Sequence, residues 1–248
     1  MSWTLHRGSC LDAVTGLASL ADKSIDVTVM DPPYEEAAHT QGRRSQGRVN
    51  GAGREVVAVP LPFAAITETE RDATAFHAAR VTRRWVLVFC QVEGAPKWAA
   101  ALVAGGLQYV RTMVWIKPDG QPQLTGDRPG MGYESIVVAH RAGRKRWNGG
   151  GKCGVFSYNK TDGSNHPHPT TKPLPLMLEL VRLFSDPGET ILDPFAGSGS
   201  TGVACGQLGR DFIGWELDEN YHAIAERRLR GEGGRINPAQ PDLFASIR

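Results

Sequence analysis

This chain of 248 residues has no long hydrophobic run, no metal-type cysteine pair and almost no excess of charge. No apolar stretch reaches the ~18 residues that suggest a membrane span, and the N-terminal MSWTLHRGSC has no apolar core like that of a signal peptide. The four cysteines are widely scattered, without the spacing of zinc ligands. We therefore expect a cytoplasmic protein that binds no metal and no membrane.

The charge balance excludes a polycation, because 28 basic residues against 26 acidic ones leave a net charge of only +2. Binding to nucleic acid would have to come from local clusters of Lys and Arg. A hydrophobic content of 41% is enough for a sizeable core. The length fits one large α/β domain or two small ones.

Apolar runs alternate with segments of helical pattern along the chain. Strands are predicted at 25–30, 85–90, 109–116, 135–139, 190–193 and 211–216. Helices are predicted at 67–84, 95–104, 174–184, from a glycine turn to about Leu208, and at 219–230. This alternation predicts an α/β fold with a mostly parallel sheet.

The tetrapeptide DPPY, Asp31–Tyr34, directly follows the buried strand predicted at 25–30. A carboxylate, two prolines and an aromatic ring therefore stand at the carboxyl end of a strand, where open α/β sheets bind their ligands. This set suits a planar ring held by its face while the carboxylate accepts hydrogen bonds from an exocyclic amine. It indicates methylation of an amine on a nucleobase, if a methyl donor binds alongside. The plain alternative is an ordinary turn, because Asp-Pro often starts one.

A second motif, ILDPFAGSGSTG at 191–202, is typical of a strand, a tight turn and the start of a helix. Gly197, Gly199 and Gly202 also match the dinucleotide fingerprint G-x-G-x-x-G, so a nicotinamide-dependent oxidoreductase is an alternative. Asp193 argues against it, because a carboxylate would repel a pyrophosphate but would pair with the α-ammonium of S-adenosylmethionine. Glu216 ends the next predicted strand, 23 residues after Asp193. It is predicted to accept hydrogen bonds from ribose hydroxyls, against the plain alternative of a solvated charge.

With both motifs present, the sequence resembles the amino-directed DNA methyltransferases, which act on N6 of adenine or N4 of cytosine. DPPY resembles their catalytic motif, LDPFAGSGSTG their donor motif, and HPTTKP at 168–173 a segment that lines the donor pocket. DPPY precedes the donor motif by about 160 residues, which is the order of the subgroup usually called beta. The resemblance covers 5–34 and 168–229. It implies a Rossmann-like S-adenosylmethionine-dependent methyltransferase fold whose mostly parallel central sheet has an antiparallel edge strand.

The resemblance assigns site residues motif by motif. The catalytic residues would be Asp31, Pro32, Pro33 and Tyr34. The donor would be bound by Ser9, Cys10, Asp31, Thr170, Thr171, Lys172, Asp193, Phe195, Ala196, Gly197, Ser198, Gly199, Ser200, Thr201, Glu216 and Leu217. The family often has Gly-Asp where this chain has Gly-Ser, and the Ser9 hydroxyl can still hydrogen-bond an adenine edge.

In the implied reaction, Asp31 and the Pro32 carbonyl accept hydrogen bonds from the two N–H groups of the amine, and Tyr34 stacks on the base. Placement and electrostatics supply the catalysis, so no cysteine nucleophile is needed. Since the amine is buried in duplex DNA, the base must be flipped out. Within the family an acidic first motif residue is more typical of adenine enzymes and a serine of cytosine enzymes. Asp31 therefore favours N6 of adenine, with N4 of cytosine as the alternative.

Two basic segments are predicted to contact double-stranded DNA: a flexible loop at 35–60 and a basic insert at 141–169, both expected to leave the sheet at the catalytic edge. Basic side chains neutralise phosphates, and an aromatic ring can wedge or stack. The residues are Arg43, Arg44, Arg48, Arg144, Lys145, Arg146 and Trp147. Solvated loop charges are the plain alternative. We expect a single catalytic domain over 1–248, and a homodimer is compatible because members of the subgroup are often dimers.

Overall fold

A computed structural model describes residues 1–35, 64–120, 129–160 and 171–232, together with the backbone of 48–49 and 55–56. Its strands are β1 (Trp3–Arg7), β2 (Ile25–Met30), β3 (Arg48–Val49), β4 (Glu55–Val56), β5 (Thr82–Cys90), β6 (Gln108–Ile116), β7 (Tyr133–His140), β8 (Val155–Ser157), β9 (Thr190–Asp193) and β10 (Asp211–Glu216). Its helices are α1 (Glu68–Val81), α2 (Ala95–Ala104), α3 (Leu174–Phe184), α4 (Ser200–Leu208) and α5 (Glu219–Leu229).

Each predicted strand and helix has a counterpart in the structure. Helix α1 begins with a capping box, in which Thr67 and Glu70 satisfy each other's backbone N–H. It ends three residues before the predicted limit because β5 starts at Thr82. Strands β1 and β8 were not among the predicted strands, and β8 has only three residues. No helix in the described ranges is long and apolar enough to cross a membrane.

Eight strands form one sheet in the order β1-β10-β9-β2-β5-β7-β6-β8. The first five run parallel, and β8 runs parallel to β6. The predicted α/β fold with a mostly parallel sheet is therefore confirmed. The reversed strand, however, is not at the edge: β7 lies between β5 and β6, antiparallel to both.

The position of β7 follows from the two connections before it. Helix α2 carries the chain from β5 to β6 and leaves a gap one strand wide between them. The next strand in the chain fills that gap as the direct neighbour of β6, and such a neighbour pairs in the opposite direction.

Both faces of the sheet are covered. On one face α3 packs residues such as Leu176 and Leu180 into the main core. On the other face α1 and α2 contribute Ala78, Trp98 and Leu102 to a second core. Strands buried on both sides read as continuous hydrophobic runs, which is why β2 and β5 are apolar along most of their length. This packing holds the strand ends that carry the two motifs.

The segment predicted as a flexible loop at 35–60 lies mostly outside the described residues. Glu35 is described, and the backbones of the short strands β3 and β4 form an antiparallel pair in which Arg48 pairs with Val56. Arg43 and Arg44 lie outside the described residues, and of Arg48 only the backbone is described.

Candidate active site

A cleft of about 890 Å³ opens at the carboxyl edge of the sheet, and both sequence motifs line it. Strands β2 and β9 are hydrogen-bonded neighbours, with Val27 beside Ile191 and Thr28 beside Leu192. Asp31 and Asp193 therefore leave adjacent strands at the same edge, although 162 residues separate them in the sequence. The prediction that the two motifs share one cavity is confirmed.

The Asp193 carboxyl is almost fully buried, at 3% exposure. One of its oxygens accepts the backbone N–H of Phe195 at 3.0 Å, and the other accepts the Thr201 hydroxyl. Burial raises the pKa of Asp193 to about 7, against these two hydrogen bonds, and the charges of Asp31 and Glu216 act in the same direction as burial. A buried acid of this kind gains most from a cation placed beside it.

The turn after Asp193 is held in shape by its glycines and by neighbouring helices. Gly197 and Gly199 have φ of 54° and 81°, in the left-handed region that favours glycine. A side chain at Gly199 would also meet Ala225 of α5, because its Cβ would lie 3.0 Å from the Ala225 Cβ. Gly199 thus packs behind the turn, while Gly197 lines the cleft.

Ser198 is tied to two other parts of the chain. Arg228 of α5 donates to its carbonyl oxygen at 2.5 Å and to its hydroxyl at 2.9 Å. The Thr171 hydroxyl lies 3.0 Å from the Ser198 hydroxyl. The HPTTKP and donor motifs therefore meet directly at the cleft.

Glu216 stands at the end of β10, beside the glycine turn. Its two carboxylate oxygens accept the backbone N–H groups of Gly197 at 2.7 Å and Asp218 at 2.8 Å. Burial raises its pKa, against these hydrogen bonds. Since β1 pairs with β10, Ser9 and Cys10 beyond the end of β1 line the same side of the cleft.

Asp31 is the first member of a row of buried charges. Lys172 Nζ contacts Asp31 Oδ2 and lies 3.4 Å from Glu134 Oε2. Lys117 Nζ lies 2.5 Å from Glu134 Oε1. Burial raises the pKa of the Asp31 carboxyl, and the Lys172 ammonium opposes that shift. The pKa of Glu134 is lowered although burial alone would raise it, because the ammonium groups of Lys172 and Lys117 outweigh burial.

Aromatic rings surround this row of charges. Lys172 Nζ lies 5.1 Å from the ring centroid of Phe89, 5.9 Å from that of Tyr34 and 6.0 Å from that of Trp115. These distances are within the range of cation–π attraction. The buried Tyr34 hydroxyl lies beside the Glu134 carboxylate. Burial raises its pKa, and the negative charges of Glu134 and Asp31 add to that effect.

The structure brings most of the predicted donor and catalytic residues to this one cleft. It is lined by Ser9, Cys10, Asp31, Pro32, Pro33, Tyr34, Thr171, Lys172, Asp193, Phe195, Ala196, Gly197, Ser198, Ser200, Thr201, Glu216 and Leu217. Thr170 lies outside the described residues.

Two charged residues of the cleft were missed. Lys117 directly follows β6, and Glu134 stands near the start of β7 in register with Trp115. In the sequence they appear only as charges flanking apolar strands. Nothing short of the strand register could have brought them together.

The first part of the basic insert, residues 141–147, lies elsewhere than predicted. Because β7 is reversed, the chain leaves it at the amino edge of the parallel strands, opposite the cleft. There Arg146 forms ion pairs with Asp186 and with Glu189, the latter at 3.2 Å, just before β9 starts. Trp147 packs edge-on against Phe184, with ring centroids 4.9 Å apart. The expectation that the insert leaves the sheet at the catalytic edge is therefore wrong for residues 141–147. Strand β8 runs parallel to β6 and returns the chain to that edge, where Lys160 lines the cleft.

The other basic residues near the start of the insert are either exposed to solvent or hydrogen-bonded to the backbone. Arg144 and Lys145 are exposed at this opposite edge. Arg141 donates to the backbone carbonyls of Thr82 and Ala79. Among the described residues no cluster of His, Cys, Asp and Glu could hold a metal ion.

Comparison with known proteins agrees with this geometry. The DNA methylase family model of N6 and N4 methyltransferases matches residues 147–227. The Type II methyltransferase M.XycI of Xanthomonas campestris pv. cyanopsidis is 31% identical over 141 residues, which are 52% of this chain and 47% of that protein. M.Cfr9I of Citrobacter freundii is 33% identical over 150 residues, 56% of this chain and 50% of that protein. The chain thus spans about half the length of these relatives.

Solved structures share the fold at low sequence identity. The M1.HpyAVI–SAM complex superimposes with a TM-score of 0.67 at 21% identity, over 92% of this chain and 98% of that one. PvuII DNA methyltransferase (cytosine-N4-specific) also gives 0.67, at 14% identity, over 97% and 88%. The fold is therefore that of the Rossmann-like methyltransferases.

The sequence matches point in the same direction. About a third of the chain matches the N6/N4 DNA methylase family model, and about half of it is similar to Type II methyltransferases. Its place in the beta subgroup stays a prediction based on the order of the motifs.

Proposed function

We propose that this protein transfers a methyl group from S-adenosylmethionine to the exocyclic amine of a base in DNA. The observation that carries the proposal is that Asp31 and Asp193 lie at the ends of adjacent strands in one cleft. The Asp31 carboxylate accepts a hydrogen bond from the amine, and the Asp193 carboxylate pairs with the α-ammonium group of the donor. A nicotinamide cofactor would use the glycine turn but would leave both carboxylates without a role.

The donor side of the cleft fits the groups that S-adenosylmethionine carries. Asp193, a buried acid with a raised pKa, suits the α-ammonium group. The turn around Gly197 leaves room for close approach, because no atom lies within 4 Å of where its Cβ would be. Glu216 can accept hydrogen bonds from ribose hydroxyls, and the Ser9 hydroxyl, which lines the cleft, can hydrogen-bond an adenine edge. When bound, the donor supplies an electrophilic methyl group.

The base side of the cleft is built around DPPY. Asp31 Oδ1 and the Pro32 carbonyl can accept hydrogen bonds from the two N–H groups of an exocyclic amine. These hydrogen bonds raise the electron density on the amine nitrogen. Tyr34 supplies a ring for stacking. The base reaches this cleft only if it leaves the duplex, so the proposal includes base flipping. Placement and electrostatics supply the rate enhancement.

The base that we propose is adenine, methylated at N6. Asp31 as the first residue of the catalytic motif supports it, since serine is more typical of cytosine enzymes. N4 of cytosine is the second candidate, and the fold shared with the cytosine-N4-specific PvuII enzyme favours it. Digestion of methylated DNA to nucleosides, followed by mass measurement, distinguishes the two.

The test of the proposed function is Asp31→Ala, assayed by transfer of labelled methyl groups to mixed-sequence DNA. We expect transfer to fall at least a hundredfold, because the amine loses its acceptor (about 3 kcal/mol for one preorganised group). The matched control is Asp22→Ala, which removes an exposed aspartate paired with Arg80 away from the cleft. Undiminished transfer by Asp31→Ala would remove the basis of the proposal.

Contacts with double-stranded DNA are proposed for the loops at the cleft edge. The segment between Glu35 and Ala64 starts and ends there, since the Ile66 N–H donates to the Tyr34 carbonyl at 3.3 Å. Arg43, Arg44 and Arg48 belong to it, and their contact with phosphates stays a prediction. A homodimer also stays a prediction, which the mass of the protein in solution tests.

A further inference from the structure

The row of buried charges behind DPPY alternates in sign. Its members Asp31, Lys172, Glu134 and Lys117 have side chains that are 26%, 10%, 11% and 13% exposed. Among the described residues, only Lys172 hydrogen-bonds the Asp31 carboxylate, and it does so at Oδ2. The other oxygen, Oδ1, is left for an incoming group.

We propose that Lys172 and Glu134 are positioning residues: Lys172 holds one oxygen of Asp31 and so directs the other to the base amine, and Glu134 holds Lys172. This inference deepens the proposed function and rests on it for the identity of the amine. It also gives Lys172 a different task from the donor binding that its motif suggested.

Lys172 needs a second anchor, because a lysine stem has four carbons and loses much rotamer entropy when fixed. Glu134 supplies it at 3.4 Å, and the rings of Phe89 and Trp115 flank the ammonium. Glu134 is itself fixed by Lys117. Each charge in this partly buried row depends on its neighbour, since removal of one partner leaves an uncompensated charge.

The two positioning residues shift the protonation equilibrium of Asp31 in opposite directions. The ammonium of Lys172 favours the ionised form of Asp31, and the carboxylate of Glu134 disfavours it. Lys117 also favours the ionised form. The other titratable groups that face Asp31 are the Tyr34 hydroxyl, the Cys90 thiol at the end of β5 and the Asp193 carboxyl at the end of β9.

The consequence is a pair of opposite shifts. Removal of the Lys172 charge should raise the titration midpoint of Asp31, and removal of the Glu134 charge should lower it. General loosening of the cleft would behave differently, because hydration of Asp31 moves the midpoint downward in both variants. The sign in the Lys172 variant therefore separates positioning by charge from a purely structural role.

The experiment uses the full chain labelled with carboxyl-¹³C aspartate, with the Asp31 signal identified by its loss in Asp31→Asn. We expect the Asp31 midpoint to rise by about one pH unit or more in Lys172→Met, to fall in Glu134→Gln, and to return towards the wild-type value in Lys172→Arg. The matched control is Glu179→Gln, which removes a glutamate paired with Lys152 at 2.6 Å outside the cleft. An unchanged or lower midpoint in Lys172→Met overturns the proposal.

Two further measurements separate this proposal from the proposed function. The acid limb of methyl transfer should move with the Asp31 midpoint, while the affinity of Lys172→Met for S-adenosylmethionine should change by less than about twofold. A loss of donor affinity above tenfold with an unmoved Asp31 midpoint assigns Lys172 to the donor and refutes the positioning role. If the wild type transfers no methyl group but the midpoints shift as expected, the proposed function fails and the positioning role stands.

Discussion

Donor binding should depend on pH through Asp193, whose pKa of about 7 in the free protein is set by burial. In the proposed donor complex the α-ammonium pairs with the ionised carboxylate, so the protonated form of Asp193 must lose its proton before the pair can form. Binding therefore lowers the pKa of Asp193 and releases a proton. At pH 7 roughly half a proton should leave for each donor bound.

The size of the effect follows from the same pKa. If only ionised Asp193 binds the donor, the apparent dissociation constant is multiplied by one plus the ratio of protonated to ionised carboxyl. With a pKa of about 7, that factor is roughly 11 at pH 6 and roughly 1.1 at pH 8. Affinity should therefore rise about tenfold between pH 6 and pH 8, a difference of about 1.4 kcal/mol.

Titration calorimetry with S-adenosylmethionine in buffers of different ionisation enthalpy measures both the affinity and the protons released. Asp193→Asn is the decisive variant, because it should bind the donor weakly and with little dependence on pH. The variant Glu216→Gln tests whether Glu216, rather than Asp193, causes the pH dependence of donor affinity. We expect this variant to retain that pH dependence. A flat affinity between pH 6 and pH 8 without proton release would refute the assignment of Asp193 to the ammonium.

Four other changes give expected outcomes. Asp193→Asn should stabilise the donor-free protein at pH 8 but not at pH 4, because a folded-state pKa of about 7 against 3.8 costs stability as pH rises through that window. Thermal unfolding should show a gap of about 4 kcal/mol between the two pH values. Glu216→Gln should weaken donor binding by about 1.5–3 kcal/mol in calorimetry. Gly199→Ala should lower the free energy of unfolding by about 1–3 kcal/mol, because a side chain at φ 81° is strained and meets a helix. Reversal of charge at Arg144 and Lys145 should leave the salt dependence of DNA binding unchanged, since both lie opposite the cleft; a shallower slope in a DNA-binding titration would place DNA at that edge.

The sequence was sufficient to predict the meeting of the two motifs, because their adjacency needs little more than the fold class. Asp31 and Asp193 each follow an apolar run, and the carboxyl ends of parallel strands share one edge. The hydrogen-bonded pairing of β2 with β9 then places them side by side. Local pattern also located the turn around Gly197, since only a few residue types suit its backbone.

What could not be predicted depends on strand direction. An apolar run such as 135–139 marks a strand but carries no sign of which way it points. The reversed β7 starts at the cleft and ends at the opposite edge, so it brings Glu134 beside Lys117 and Lys172. The same reversal carries the chain after His140 away from the cleft.

The reversed direction of β7 and its place between β5 and β6 therefore explain both differences from the prediction. These are the unpredicted charges of Glu134 and Lys117 at the cleft and the position of residues 141–147 at the opposite edge. If β7 ran parallel to its neighbours, residues 141–147 would leave at the catalytic edge as predicted, and Glu134 would stand at the other edge. If β7 were the edge strand instead, Glu134 would lie beyond β6, and the row of charges behind Asp31 would lack its middle member. Insertion between β5 and β6 places this glutamate behind DPPY and at the same time moves residues 141–147 away from the cleft. If DNA is held at the cleft as proposed, Lys117 and Lys160 are basic side chains among the described residues that line it.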